Sequence, residues 1–146
     1  MQDVANALRA LVAEVRPQLE AITDTAASAP RAAGKWSRKE ILGHLVDSAC
    51  NNHQRFIRAQ LSGALTFPGY AQEEWVARQG YRDRPWAEIV TLWALLNGHV
   101  AHAAERIPAA DLLKPCHVGG DSAVTLEFLV RDYVTHHRHH LAQILS

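Results

Sequence analysis

Apolar residues recur every three or four positions through four long stretches of this chain, the spacing of helices that each bury one face. In the first, Val4, Leu8, Leu11, Val15, Leu19 and Ile22 predict a helix from Asp3 to Thr23, with Pro17 as a bend or break. A linker of small residues and proline follows, from Ala26 to Gly34. The second helix is predicted from Arg38 to Leu61 and has a well-marked start. Ser37 is a natural N-cap, Glu40 completes a capping box, and Trp36 with Ile41 can form a hydrophobic staple. The third begins near Pro85, a residue favoured in a first turn, and runs to Arg106 with Ile89, Leu92, Trp93, Leu96 and Val100 inward. The fourth runs from Leu126, after a Thr125 cap, to the end of the sequence.

Strand signals are poor, and no internal repeat or low-complexity tract interrupts the pattern. The expected fold is therefore all-α, a four-helix bundle spanning residues 1–146 as one domain. Its connections are unequal. Ser62 to Arg84 is long and contains a short helical piece from Gln72 to Arg78, and a crossover of that length lets the second and third long helices run parallel. Pro108 to Val124 is also long, with Gly119-Gly120 as a turn. Both connections are expected to cover one end of the bundle.

Composition narrows the function. Fifteen basic residues balance fifteen acidic ones, so the electrostatic footprint of a nucleic-acid binder is missing. No apolar run approaches the roughly 20 residues of a membrane span, and no signal-peptide pattern opens the chain, so a cytoplasmic location is expected. Two cysteines, Cys50 and Cys116, suit a reduced compartment, and Cys50 is expected as a packed core thiol. Nine histidines are an excess that points to metal or proton chemistry.

The histidines cluster in Thr135-His136-His137-Arg138-His139-His140 on the fourth helix. Residues four apart share a helix face, so His136 and His140 point the same way and can grip one ion. Pairs three apart, His136 with His139 or His137 with His140, are also allowed; His136 with His140 is preferred because Leu129 and Tyr133 share their stripe. A catalytic site of zinc type needs a third protein ligand and an open position. His44, two turns into the well-capped second helix, is the best candidate. His44, Ser48, Asn51, Arg55 and Arg58 form a polar stripe on that helix, with Asp47 at its edge. Such a stripe is ordinarily a solvated face. Its functional reading is a pocket wall, with Arg55 holding an anionic group of the substrate. Asp132, one turn before His136, is placed to accept a hydrogen bond from a ligand imidazole. His99 and His102 are expected to be structural or solvent-facing. The zinc-protease signature HExxH, the ExxH pairs of di-iron bundles and the GxSxG elbow are all absent.

The ordered set of Trp36, Gly43-His44-Leu45-Val46-Asp47-Ser48, Asn51-Asn52-His53-Gln54-Arg55-Phe56, Phe67-Pro68-Gly69-Tyr70, Glu74-Trp75, Asp132-Tyr133 and His136-x-x-x-His140-Leu141-Ala142-Gln143-Ile144 resembles the DinB/YfiT-like superfamily of four-helix-bundle metalloenzymes. The resemblance covers most of the chain. It implies a divalent metal held by His44, His136 and His140. It also implies a hydrolase that activates a metal-bound water, or a thiol S-transferase that uses a low-molecular-weight thiol. A metal-binding, dimeric protein without turnover is a third possibility. Zinc or nickel is the expected ion, with iron, copper or manganese also compatible with three imidazoles. The expected partners are a small-molecule substrate and a second copy in a homodimer, with no nucleic acid and no membrane. Asp47, Arg55 and Asp132 are the catalytic candidates.

Overall fold

The computed structural model describes residues 1–120 and 122–146. In chain order its helices are α1 (Gln2–Glu20), α2 (Asp24–Ser28), α3 (Arg38–Leu61), α4 (Gln72–Gln79), α5 (Trp86–Glu105) and α6 (Leu126–Leu145). The four long ones, α1, α3, α5 and α6, form a four-helix bundle. Contacts near their ends set their directions. Glu105 meets Arg9 and Gln2, and the Trp86 indole N–H donates to the Leu19 carbonyl, so α1 and α5 are antiparallel. Lys39 reaches Asp24, whose other oxygen accepts from the Trp86 backbone, while His53 touches His99. So α3 and α5 run parallel, as the long crossover between them allows. Phe56 lies against Tyr133 and His44 against His140, making α3 and α6 antiparallel.

The predicted starts of α3 and α6 match their capping chemistry. The Ser37 hydroxyl accepts from the Glu40 backbone and the Glu40 carboxylate returns to the Ser37 backbone, the reciprocal box read from the sequence. Thr125 caps α6 through the Phe128 backbone. Trp36 and Ile41 share the same core cluster. Two features of the first helix differ from expectation. Pro17 sits inside α1 without ending it, and the chain then breaks at Ala21–Thr23. There Thr23 accepts from the Ala26 backbone and starts α2, which takes the first part of the predicted linker.

A small sheet was not legible in the sequence. Strand β1 (Leu65–Phe67) pairs in parallel with β2 (Pro115–Val118), which pairs antiparallel with β3 (Ala123–Thr125). The two long connections thus join each other, and they close one side of the bundle. Gly119, in the left-handed region at φ 67°, donates its N–H to the Phe67 carbonyl at 3.0 Å. A Cβ at Gly119 would lie 3.1 Å from the Gly69 Cα, so the two connections touch main chain to main chain there. Among the described residues, no helix is long and apolar enough to cross a membrane.

Candidate metal centre

The anchored start of α3 delivers His44 fully buried, with the Trp36 ring 5.5 Å away. Helix α6 supplies His136 and His140 one turn apart, both half-buried. One ring nitrogen from each of the three imidazoles can be chosen so that all lie within 4.8 Å of one another. The Nε2 atoms of His44 and His136 are 3.2 Å apart. Two ring nitrogens facing at that distance need a shared proton or a cation between them. A tetrahedral ion such as zinc, with Zn–N bonds of about 2.0–2.1 Å, spaces two ligand nitrogens by roughly 3.3 Å. The donor set and its spacing fit a divalent metal.

Neighbours prepare the rings for that task. His140 Nδ1 lies 3.0 Å from the Gln143 side-chain oxygen, which can only accept, so the proton sits on Nδ1 and Nε2 keeps its lone pair. Burial, reinforced by the charges of His136 and His140, pulls the His44 pKa down to about 4. Burial, then the charges of His140 and His139, pulls His136 to about 4, and burial also lowers His140. All three are neutral near pH 7, the form that binds metal.

Beside His136 opens a cavity of about 370 Å³, walled by Ser48, Asn52 and Arg55 of α3, Tyr70, and Asp132 of α6. Gly69 and Gly119, from the two joined connections, close its side. The polar stripe of α3 is therefore not a solvated face. His44, Asp47, Ser48, Asn51, Asn52 and Arg55 are buried, and only Arg58 at its end is exposed. The crossover reverses the ordinary reading by laying chain over this face.

The three catalytic candidates have different surroundings. Asp47 is buried. The Tyr81 hydroxyl donates to its Oδ1 at 2.7 Å and the Gln79 amide at 3.1 Å, while Oδ2 has no partner. Burial raises its pKa against the pull of those two bonds. Arg55 is buried and faces the cavity. Asp132 is exposed at the cavity beside His136, and among the described residues no hydrogen bond joins it to a ligand imidazole. The Tyr81 and Gln79 contacts were not foreseen. The Tyr81 contact depends on Gly43, where any Cβ would run into the Tyr81 ring.

One further expectation needs correction. Cys50 is exposed, because Tyr81 and Gln79 cover this face of α3 at Asp47 and leave the next turn open. His99 and His102 are exposed as expected, yet both have polar company. His99 Nε2 lies 3.2 Å from His53 Nε2, and His102 lies 3.3 Å from Glu105. Within the histidine tract, His137 turns inward, fully buried, with Nδ1 on the Tyr133 carbonyl.

The arrangement is that of a helical bundle carrying a three-histidine site where the antiparallel helices α3 and α6 face each other. The family model of the DinB superfamily matches residues 4–144, and the chain belongs to that superfamily. Among its relatives is a protein of Geobacillus thermodenitrificans, 26% identical over 141 residues that cover 96% of this chain and 79% of that one. Bacillus subtilis YfiT is 22% identical over 138 residues, covering 94% and 78%. Both are named as candidate metal-dependent hydrolases. The solved structure of YfiT, described as having an unusual four-helix bundle topology, superposes with a TM-score of 0.87 at 22% identity over 97% of this chain and 82% of that one. That likeness establishes the fold.

Proposed function

We propose that this protein is a metal-dependent hydrolase of a small molecule, with His44, His136 and His140 holding one divalent ion. The observation that carries the reading is the convergence of three neutral imidazoles, one of which, His136, also lines a cavity. Zinc or nickel is the ion this reading favours, and three imidazoles suit either. When bound, the ion supplies a Lewis acid and a nucleophile formed near neutral pH. The protein's own groups do the rest. Asp132, exposed beside His136, takes a proton from the reacting side and passes it to solvent. Asp47 has Oδ1 tied by Tyr81 and Gln79, and its open Oδ2 serves as a fixed acceptor behind the site. Ser48 and Asn52 line the cavity and offer hydrogen bonds that orient the substrate.

Elemental analysis after mild purification tests the site, with close to one divalent ion per chain expected. No ion, together with no thermal shift on adding zinc or nickel, sinks it. A panel of esters, amides and stronger electrophiles, assayed with and without a small thiol, then tests the reaction. Turnover without thiol supports hydrolysis. Turnover that requires the thiol would replace this reading by thiol S-transfer at the same triad. Stoichiometric metal with no turnover on any of them would favour a metal-binding protein without catalysis.

A further inference from the structure

Arg55 is 8% exposed, and its guanidinium carries a permanent charge. A buried cation of this kind is ordinarily matched by a carboxylate, because desolvation without a counter-charge is costly. Among the described residues Arg55 has no ion pair. Its Nη1 makes one long hydrogen bond, 3.4 Å, to the neutral Asn52 side chain, and its Nε is buried with no partner. The guanidinium lies 5.2 Å from the centre of the Phe67 ring, a contact that holds its plane without neutralising it. The exposed Arg58 sits over the same ring at 5.7 Å and adds positive charge.

The unmatched cation faces the cavity that His136 also lines. Helical side chains lean toward the helix N-terminus, and the bond to Asn52 shows Arg55 leaning that way, toward His44. At ~1.5 Å of rise per residue the Cα atoms of His44 and Arg55 are about 16 Å apart, and the lean leaves a gap on the order of 10 Å. At the His136 end the nearest charged group in the cavity wall is the Asp132 carboxylate, which repels a second anion. Among the described lining residues Arg55 is the cation and Asp132 the anion, so the protein's own side chains, before any metal binds, favour an anion at the Arg55 end.

We propose that Arg55 is the anion-binding group of the cavity, and that the substrate is an elongated small molecule carrying a carboxylate or phosphate on the end away from the reacting bond. This rests on reading the cavity as the substrate chamber of the metal centre. The guanidinium fork suits either anion, since both accept two parallel N–H bonds. Arg55 then acts as a binding and positioning residue, and the imidazoles keep their own task.

Isothermal titration of the full-length protein decides the matter, both metal-loaded and after chelator treatment, with hexanoate, hexyl phosphate and the neutral hexanamide as probes. One of the two anions is expected to bind at least about tenfold more tightly than hexanamide in both forms, and the better of the two names the anion class. Arg55→Ala and Arg55→Gln should each weaken that anion by about tenfold to a hundredfold with metal content unchanged. Arg55→Lys should recover part of the loss. Equal affinity for anion and amide in the wild type overturns the proposal, a comparison that needs no variant to fold. So does anion binding that survives both neutral substitutions, or that vanishes with the metal, which would make the anion a metal ligand. A chain that takes up no metal yet binds hexanoate through Arg55 overturns the hydrolase reading and leaves this one standing. Stoichiometric metal with no preference for anions overturns this one alone.

Discussion

The bundle has two seams of opposite character. Where α1 meets α5, the buried residues of α1 are Val4, Ala5, Leu8, Leu11, Val15 and Leu19, facing Ile89, Trp93, Val100 and Ala104. Where α3 meets α6, the buried set includes His44, Asp47, Ser48, Asn51, Asn52 and Arg55. Among the described residues, the atoms left buried without a partner divide the same way. His44 Nδ1, Asp47 Oδ2, Arg55 Nε and His137 Nε2 belong to α3 and α6, and only Trp93 Nε1 belongs to α5. An unsatisfied buried polar atom costs about 1–3 kcal/mol. One seam therefore supplies stability, and the other holds most of the buried polar atoms that lack a partner among the described residues.

The comparison can be broken at several points. Leu8→Ala, in the apolar seam, should cost about 2–5 kcal/mol in urea unfolding, while folded protein keeps its metal content. A cost below about 1 kcal/mol would deny that this seam carries the stability. His140→Ala should abolish metal uptake and leave the helical circular dichroism intact. Wild-type protein at a hundredfold excess of metal over Kd should gain about 2.7 kcal/mol, and the variant should gain none. If the variant instead keeps its ion, His140 is not a ligand; if chelation unfolds the wild type, the polar seam depends on metal for its fold.

Smaller effects sharpen the picture. Gly43→Ala forces the Tyr81 ring off α3 and should cost about 1–3 kcal/mol, in the range of overpacking. An unchanged midpoint would mean that Tyr81 moves freely and does not fix Asp47. His99→Ala and His102→Ala should each leave metal content unchanged and shift stability by no more than about 0.5 kcal/mol. Loss of the ion from either would move a ligand to α5.

The smallest effect is one of pH. The hydrogen bond from Arg9 leads the interactions that hold the Glu105 carboxyl at about 2, below its ordinary value. Its contribution is present above the ordinary carboxylate range, near pH 4.5, and is lost as pH falls toward 2. The melting-temperature difference between wild type and Glu105→Gln should therefore shrink over that interval, and added salt should shrink it further. A difference that grows on acidification would reverse the sign and refute the pairing.

The long helices were readable because twenty-residue periodic patterns with Ser37 and Thr125 caps leave little choice of structure. The convergence of His44 with His136 and His140 was readable for a related reason, since each lies on a rigid helix at a turn-counted position. What could not be read depends on chain crossing chain. Strands of three or four residues are too short to show alternation, so β1 to β3 were invisible. The burial of the α3 stripe depends on what the crossover lays over it, which no local pattern encodes. Cys50 was misplaced for the same reason. Its exposure is set by where that cover stops.

The contact between Gly69 and Gly119 has a consequence for how such a protein can diversify. Because the two connections meet through main chain, the frame of this side of the cavity does not depend on which side chains flank it. Tyr70, Gln72 and Val118 hang on that frame and line the cavity, yet none belongs to the buried core. Substitutions at those three positions can therefore retune which molecules enter while the helices, their caps and the three imidazoles stay as they are. A Cβ at Gly119 would meet the Gly69 main chain and disturb the frame itself. Variation in selectivity is thereby channelled into a few lining positions, with two glycines as the hinge on which that freedom rests.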